Sequence, residues 1–196
     1  MIRFKYVVAF ALFVPGVYAA DFPTNLYTES ENKFISVIDK YAQSVDGVDN
    51  ELKINKLKKE RDKEIYPIFK NENNNFPQNW YGVVDYISTT NDGDGVIKIK
   101  IADNITIGTW NTSFADKKYY TLIKADSKLY DVVSDLSEGD IVKFSGLFHS
   151  ASKAKYKPTK TEIMNEKGFY ESSLTLKGGM TEPSYIFSFT DIEKIN

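Results

Sequence analysis

Two hydrophobic periods divide the chain. Phe34, Val37, Ile38, Tyr41 and Val45 recur at spacings of three and four, which places them on one face of a helix. Ser30 is the expected N-cap, and Gly47 marks the end. A second helix starts at Asp49 or Asn50, carries the looser stripe Leu52, Ile54, Leu57 and Ile65, and closes at Pro67. The short Asp-Gly turn between them predicts an antiparallel helical hairpin. Asn71 to Asn75 with Pro77 forms a polar connector.

From Trp80 the period becomes two. Trp80 to Ile87 reads as a strand, and Asn91 to Gly95 as a turn with glycines for positive φ. Val96 to Ile101 alternates strictly, with Ile97, Ile99 and Ile101 on one face and Lys98 and Lys100 on the other. Ile105 to Asn111 is a third strand. Ser127 to Leu136 reads as a helix with Leu129, Val132, Val133 and Leu136 on one side. After a turn at Glu138-Gly139-Asp140, Ile141 to His149 forms a fourth strand, with Val142, Phe144, Gly146 and Phe148 facing inward. Tyr185 to Ile192 is the last strand, with Tyr185, Phe187 and Phe189 on one face. The stretch from Thr161 to Pro183, with Phe169 and Tyr170, is expected to form a hairpin extending the sheet.

Composition narrows the chemistry. The chain of 196 residues has 25 Lys+Arg against 27 Asp+Glu, no cysteine and one histidine. Its length suits one domain with accessory segments. The absence of cysteine excludes a disulfide framework, thiol catalysis, thiolate zinc sites and a lipoprotein anchor. A single histidine excludes a multi-histidine metal centre and makes any Ser-His-Asp triad depend on His149. No cofactor is implied.

The first residues carry a targeting pattern. Arg3 and Lys5 precede the apolar run Val7 to Val14. Pro15 and Gly16 interrupt it, and Val17-Tyr18-Ala19 offers small residues at a cleavage site. These are the three parts of a secretory signal peptide, over residues 1–19. The run is far shorter than the roughly 20 apolar residues of a membrane span. The expectation is a periplasmic or secreted protein cleaved near Ala19. Loss of Arg3 and Lys5 takes the net charge from -2 to -4. Residues 20–77 then form the hairpin and linker, and residues 78–196 a barrel with an insert at about 150–183.

The order strand, strand, strand, helix, strand, strand resembles the OB-fold, a five-stranded Greek-key barrel. Gly82 in the first strand and Gly146 in the fourth sit where a small barrel bends, and Leu136 to Val142 is similar to the usual OB entry into the fourth strand. The resemblance covers residues 78–195. The expected class is α+β: a helical hairpin, then a five-stranded OB-fold barrel with a helix between strands 3 and 4. An SH3-like barrel, which lacks that helix, and an open α+β sheet are the competing architectures. A signal peptide ahead of such a barrel is similar to small periplasmic OB-fold proteins of bacteria, although those lack the hairpin and the long insert.

Candidate catalytic chemistry is sparse. Asp92, Asp94 and Asp103 lack the calcium-loop spacing and suit a hairpin turn. No nucleophile-elbow glycines flank a serine near His149, and nothing selects a pair among the 27 acids. A non-catalytic protein is expected. The resemblance implies ligand binding on the face of strands 2 and 3 and in the loops joining strands 1–2 and 4–5. Lys98 and Lys100 point out of strand 2, and Thr106, Gly108 and Trp110 out of strand 3. Trp110 suits two roles, a stacking ring beside the two lysines or a core ring beneath a helix. Lys153, Lys155, Tyr156 and Lys157, with Lys160, place cations around an aromatic after strand 4. That segment suits a polyanion or simply solvent. Lys117, Lys118, Tyr119 and Tyr120 flank the same groove. The expected partner is an envelope glycan or a protein. Nucleic acid on the strand 2–3 face ranks below both, because an acidic chain has little counterion release to drive it. An enzyme of unknown class ranks last.

Overall fold

The computed structural model describes residues 22–70, 77–149 and 168–195. Residues 1–19, expected to be a signal peptide, the Asn71 to Asn75 connector, and Lys153, Lys155, Tyr156, Lys157 and Lys160 lie outside the described residues. Among the described residues no helix is long and apolar enough to cross a membrane.

The hairpin consists of α1 (Glu29–Ser44) and α2 (Glu51–Lys70). The cap of α1 is Thr28, not Ser30. Thr28 Oγ1 accepts from Glu31 N, and Glu31 reaches back to Thr28 N. The Thr-x-x-Glu spacing of this capping box outweighs the nearby serine. Ser30 instead accepts from Trp80 Nε1 at 3.1 Å, so it ties the helix to the barrel. Asn50 caps α2, accepting from Leu52 N and Lys53 N at 3.0 and 3.3 Å. Pro67 does not close α2, which continues to Lys70. Pro67 is exposed, so the carbonyl left without its donor can turn to water. Ile65 and Phe69 meanwhile hold both sides of the break in the core.

The strands are β1 (Trp80–Thr89), β2 (Gly95–Ala102), β3 (Ile105–Gly108), β4 (Ile141–Phe148) and β5 (Ser184–Lys194). They close into a barrel in the order β1-β2-β3-β5-β4, with β1 also paired to β4. β3 and β5 run parallel and the other ladders are antiparallel. This closed α+β arrangement is OB-like. It excludes the open sheet, and the helix α4 (Lys128–Ser134) between β3 and β4 separates it from an SH3-like barrel.

The interior follows the alternation. Ile97, Ile99, Ile101, Ile105 and Ile107 are fully buried with Phe144 and Phe187. Both bend glycines are sterically required. A Cβ on Gly82 would lie 2.5 Å from Lys100 O, and one on Gly146 would overlap Ser188 O and the Phe187 ring. The β4–β5 register slips between Ser145 and Gly146, so Gly146 marks a bulge that sharpens the curl. One mouth of the barrel is covered by the hairpin, whose Phe34 meets Trp80, Phe148 and Tyr185. Near the other, Ile123 pairs with Gly95 at the start of β2. Val133 and Leu136 are buried there. Val132 points outward rather than joining them, 38% exposed, because so short a helix turns only a narrow face to the barrel.

The segment after residue 167 does not make the expected hairpin. Glu171 bridges to Tyr185, and then α5 (Leu176–Thr181) begins with Thr175 Oγ1 accepting from Gly178 N. Phe169 is core, stacked on Phe148 at 4.3 Å.

Candidate functional site

The outer face of β2 and β3 is occupied by its own neighbours. Lys100 Nζ lies 3.3 Å from Asp85 Oδ1. Lys98 Nζ stands over the Tyr86 ring, 5.7 Å from its centroid, and Lys98 pairs across the ladder with Gly108. Simple alternation would carry Trp110 onward beside these lysines. The strand ends first, at Gly108 rather than Asn111. Thr109 still bonds Ile97 through its N and Oγ1. Trp110 N then donates to Thr121 Oγ1 at 2.8 Å, which draws the chain off the sheet.

Thr121 is itself fixed. Asp116, buried after the short helix α3 (Ser113–Asp116), accepts from Thr121 N and Oγ1 at 2.6 and 2.7 Å and from Leu122 N at 3.2 Å. One carboxylate therefore locks the connector between β3 and α4 and sets the position of Trp110. The signal for this in the sequence is slight: Thr112 before α3, with an Asp inside an aromatic and lysine-rich run.

Trp110 consequently is not part of the buried core, and its ring contacts are with tyrosines. It is partly exposed, 5.9 Å from the Tyr119 ring and 5.7 Å from the Tyr170 ring. Tyr119 and Tyr170 lie 5.1 Å apart, and Tyr119 meets His149 edge-on at 5.5 Å. Tyr170 reaches this position through backbone bonds, its N to His149 O at 2.7 Å and its O from Ile186 N at 3.0 Å. The segment after the insert and the connector after β3 thus supply one aromatic group on the barrel wall.

His149 is buried, with Nε2 at 2.7 Å from Ser188 Oγ. Burial lowers its pKa to about 4, so the ring is neutral near pH 7. Among the described residues, Nδ1 has no hydrogen-bond partner, and neither has the buried Trp110 Nε1. The Ser188–His149 contact has no third member among the described residues of the kind a nucleophilic triad uses. Burial, followed by Tyr170, raises the Tyr119 pKa. The group is uncharged and aromatic, and it holds an unused N–H.

Beside it lies a polar cleft of about 330 Å³ between the β1–β2 turn and the connector. Thr89, Thr90, Asn91, Asp92, Asn111, Thr112, Ser113 and Phe114 line it. Ser113 Oγ donates to Asp92 Oδ2 at 2.5 Å. Phe114 is 81% exposed, with Lys117 Nζ 5.1 Å from its ring centroid.

A charged cluster joins the hairpin to the segment that precedes β5. Arg61, which stands in the sequence among Lys58, Lys59 and Lys63, is fully buried. It donates to Gly179 O at 2.7 Å, to Asp62 Oδ1 at 3.1 and 3.2 Å, and to Glu171. Lys58 lies 2.9 Å from both carboxylates. Two cations against two anions leave the cluster neutral, as a clamp needs. No group of three or more potential metal-ligating side chains occurs among the described residues.

No family model, curated protein or solved structure matched this chain.

Proposed function

We propose that this chain is an exported, non-catalytic binding module of the bacterial periplasmic or secreted OB-fold kind, and that its ligand is an envelope glycan. The observation that carries this reading is the aromatic group of Trp110, Tyr119 and Tyr170, fixed on the barrel wall and partly open to solvent. Aromatic faces with a few placed polar atoms suit the apolar faces and hydroxyls of a sugar. Export by the amino-terminal segment would bring the module to the compartment where such glycans lie. Nucleic acid is disfavoured, since Lys100 is paired with Asp85 and Lys98 rests on Tyr86. A protein partner is the second reading, supported by the 81% exposure of Phe114 on the adjoining connector.

Cosedimentation with purified, insoluble envelope glycan tests the reading. The parent protein is expected to pellet with the glycan, with little change between 50 and 300 mM salt. Trp110→Ala is expected to lose roughly 1–3 kcal/mol of binding, as for other aromatic stacking platforms. Binding that falls steeply with salt would point to phosphate contacts instead. No pelleting at all would leave the protein partner.

A further inference from the structure

The cleft beside the aromatic group has its own chemistry. Its wall is built almost entirely of hydroxyl and amide side chains: Thr89, Thr90, Asn91, Asn111, Thr112 and Ser113. Asp92 is its one charged group, and Ser113 holds the carboxylate by donating to Oδ2. Two of the hydroxyls also serve the fold, since Thr90 Oγ1 accepts from Asp94 N and Thr112 Oγ1 from Ala115 N. Asn91 and Asn111 line the cleft from two separate loops, both exposed, and their amides have no hydrogen-bond partner among the described residues. Neither loop is slack. Asp94 N and Gly93 N both bond Thr90 across the turn, and Thr112 caps α3.

The ligand class follows by elimination. An anion would meet the Asp92 carboxylate with no cation in the wall. A divalent metal would find one carboxylate where it prefers several oxygen ligands. A hydrophobic ligand would leave both amides unpaired, at a cost in affinity. A neutral polyhydroxy ligand satisfies every group, since each amide both donates and accepts, the carboxylate accepts from hydroxyls, and the Phe114 ring offers an apolar face at the rim. The volume of about 330 Å³ lies at the small end of ligand pockets.

We propose that this cleft is a subsite for one neutral sugar unit, clamped between the Asn91 and Asn111 amides with Asp92 accepting from its hydroxyls. The proposal rests on the glycan reading above and extends it from the Trp110 face to the next position along the chain of sugars, because Asn111 follows Trp110 directly.

Amide and indole NMR shifts of the full chain, titrated in parallel with chitotriose, maltotriose and cellotriose to 10 mM, test it. At least one of these is expected to shift the amides of residues 89–92 and 111–114. The Asn91→Ala, Asn111→Ala double variant is expected to weaken that binding at least tenfold with an unchanged melting temperature, and Phe114→Ala to weaken it severalfold. Shifts confined to Trp110, Tyr119 and Tyr170 would overturn the subsite while leaving the glycan reading intact. No shift with any of the three would overturn the subsite. Cosedimentation with whole envelope glycan then decides whether the broader reading falls too. Equal shifts at the cleft with a single-stranded oligonucleotide would overturn the assignment to a neutral sugar.

Discussion

The chain has two tryptophans, and they sit in opposite kinds of aromatic cluster. Trp80 is fully buried under the helical hairpin, among Phe34, Phe69 and Phe148, and its Nε1 donates to Ser30 Oγ. Trp110 is partly exposed on the barrel wall, among Tyr119 and Tyr170, and its Nε1 has no partner among the described residues. The first cluster is made mostly of phenylalanines and its indole N–H is satisfied, although the hydroxyl of Tyr185, packed on Phe34 and Phe148, has no partner among the described residues. The second is made of tyrosines and a histidine around Trp110. What separates the two is exposure: Trp80 is fully buried, whereas Trp110, Tyr119 and Tyr170 are each partly open to solvent. A group of rings left partly open on the barrel wall is available for contacts that packing does not use.

The contrast is sharpest in stability. Trp80→Ala should cost about 3–5 kcal/mol, as expected for removing a large ring from a core. Trp110→Ala should cost only about 1–2 kcal/mol, since it loses two ring contacts and little burial. Denaturant unfolding of both variants measures this directly, and equal losses would erase the distinction between the clusters.

The clamp beneath the first cluster should be nearly as sensitive. Arg61→Met leaves Asp62 and Glu171 buried with only Lys58 to balance them, and should cost about 3–5 kcal/mol. If Arg61→Met melts with the parent, the hairpin is held by its apolar face alone. In the barrel wall between the two clusters, Gly146→Val should cost about 3 kcal/mol, because its side chain meets Ser188 O and the Phe187 ring. A melting temperature equal to the parent's would mean that β4 is not curled at that point.

Much of this was legible in the sequence, and the reasons for the rest are physical. The alternation of Ile97, Ile99 and Ile101, the bend glycines and the mid-chain helix are local signals, and local signals gave the OB-like barrel. Long-range partners were not legible. Arg61 looks solvated until Glu171 and Gly179 are brought to it from the far end of the chain. Phe169 looks like a loop aromatic until it stacks on Phe148. Trp110 follows the strand pattern in sequence, but its N–H bonds to Thr121, which Asp116 holds, and its ring packs on Tyr119 and Tyr170. At Thr28 and Ser30 both residues suit a cap, and the position of Glu31 decides between them.

The two regions should also respond to pH in opposite directions. Glu31, at the hairpin contact with Tyr81 N, is raised by burial from 4.5 to about 8. Its uncharged form is favoured by the fold. The stability it contributes is full below pH 4.5, declines as pH rises, and is gone above about 8. His149 is lowered by burial from 6.5 to about 4. Its contribution is full above pH 6.5 and is lost as pH falls through about 4. Melting temperature against pH should therefore lose its alkaline slope in Glu31→Gln and part of its acid slope in His149→Gln. Unchanged slopes in both variants would mean that neither group is desolvated as described.

The central claim is that the Trp110 cluster, and not the Trp80 cluster, is the ligand surface. The two indole N–H resonances report on it within one sample, with Trp80 as the internal reference. On titration with a soluble fragment of envelope glycan, the Trp110 N–H resonance should shift as the ligand's rings alter its surroundings, while the Trp80 N–H stays in place. Movement of the Trp80 resonance with Trp110 unchanged, or no movement of either while the fragment binds, would contradict the account.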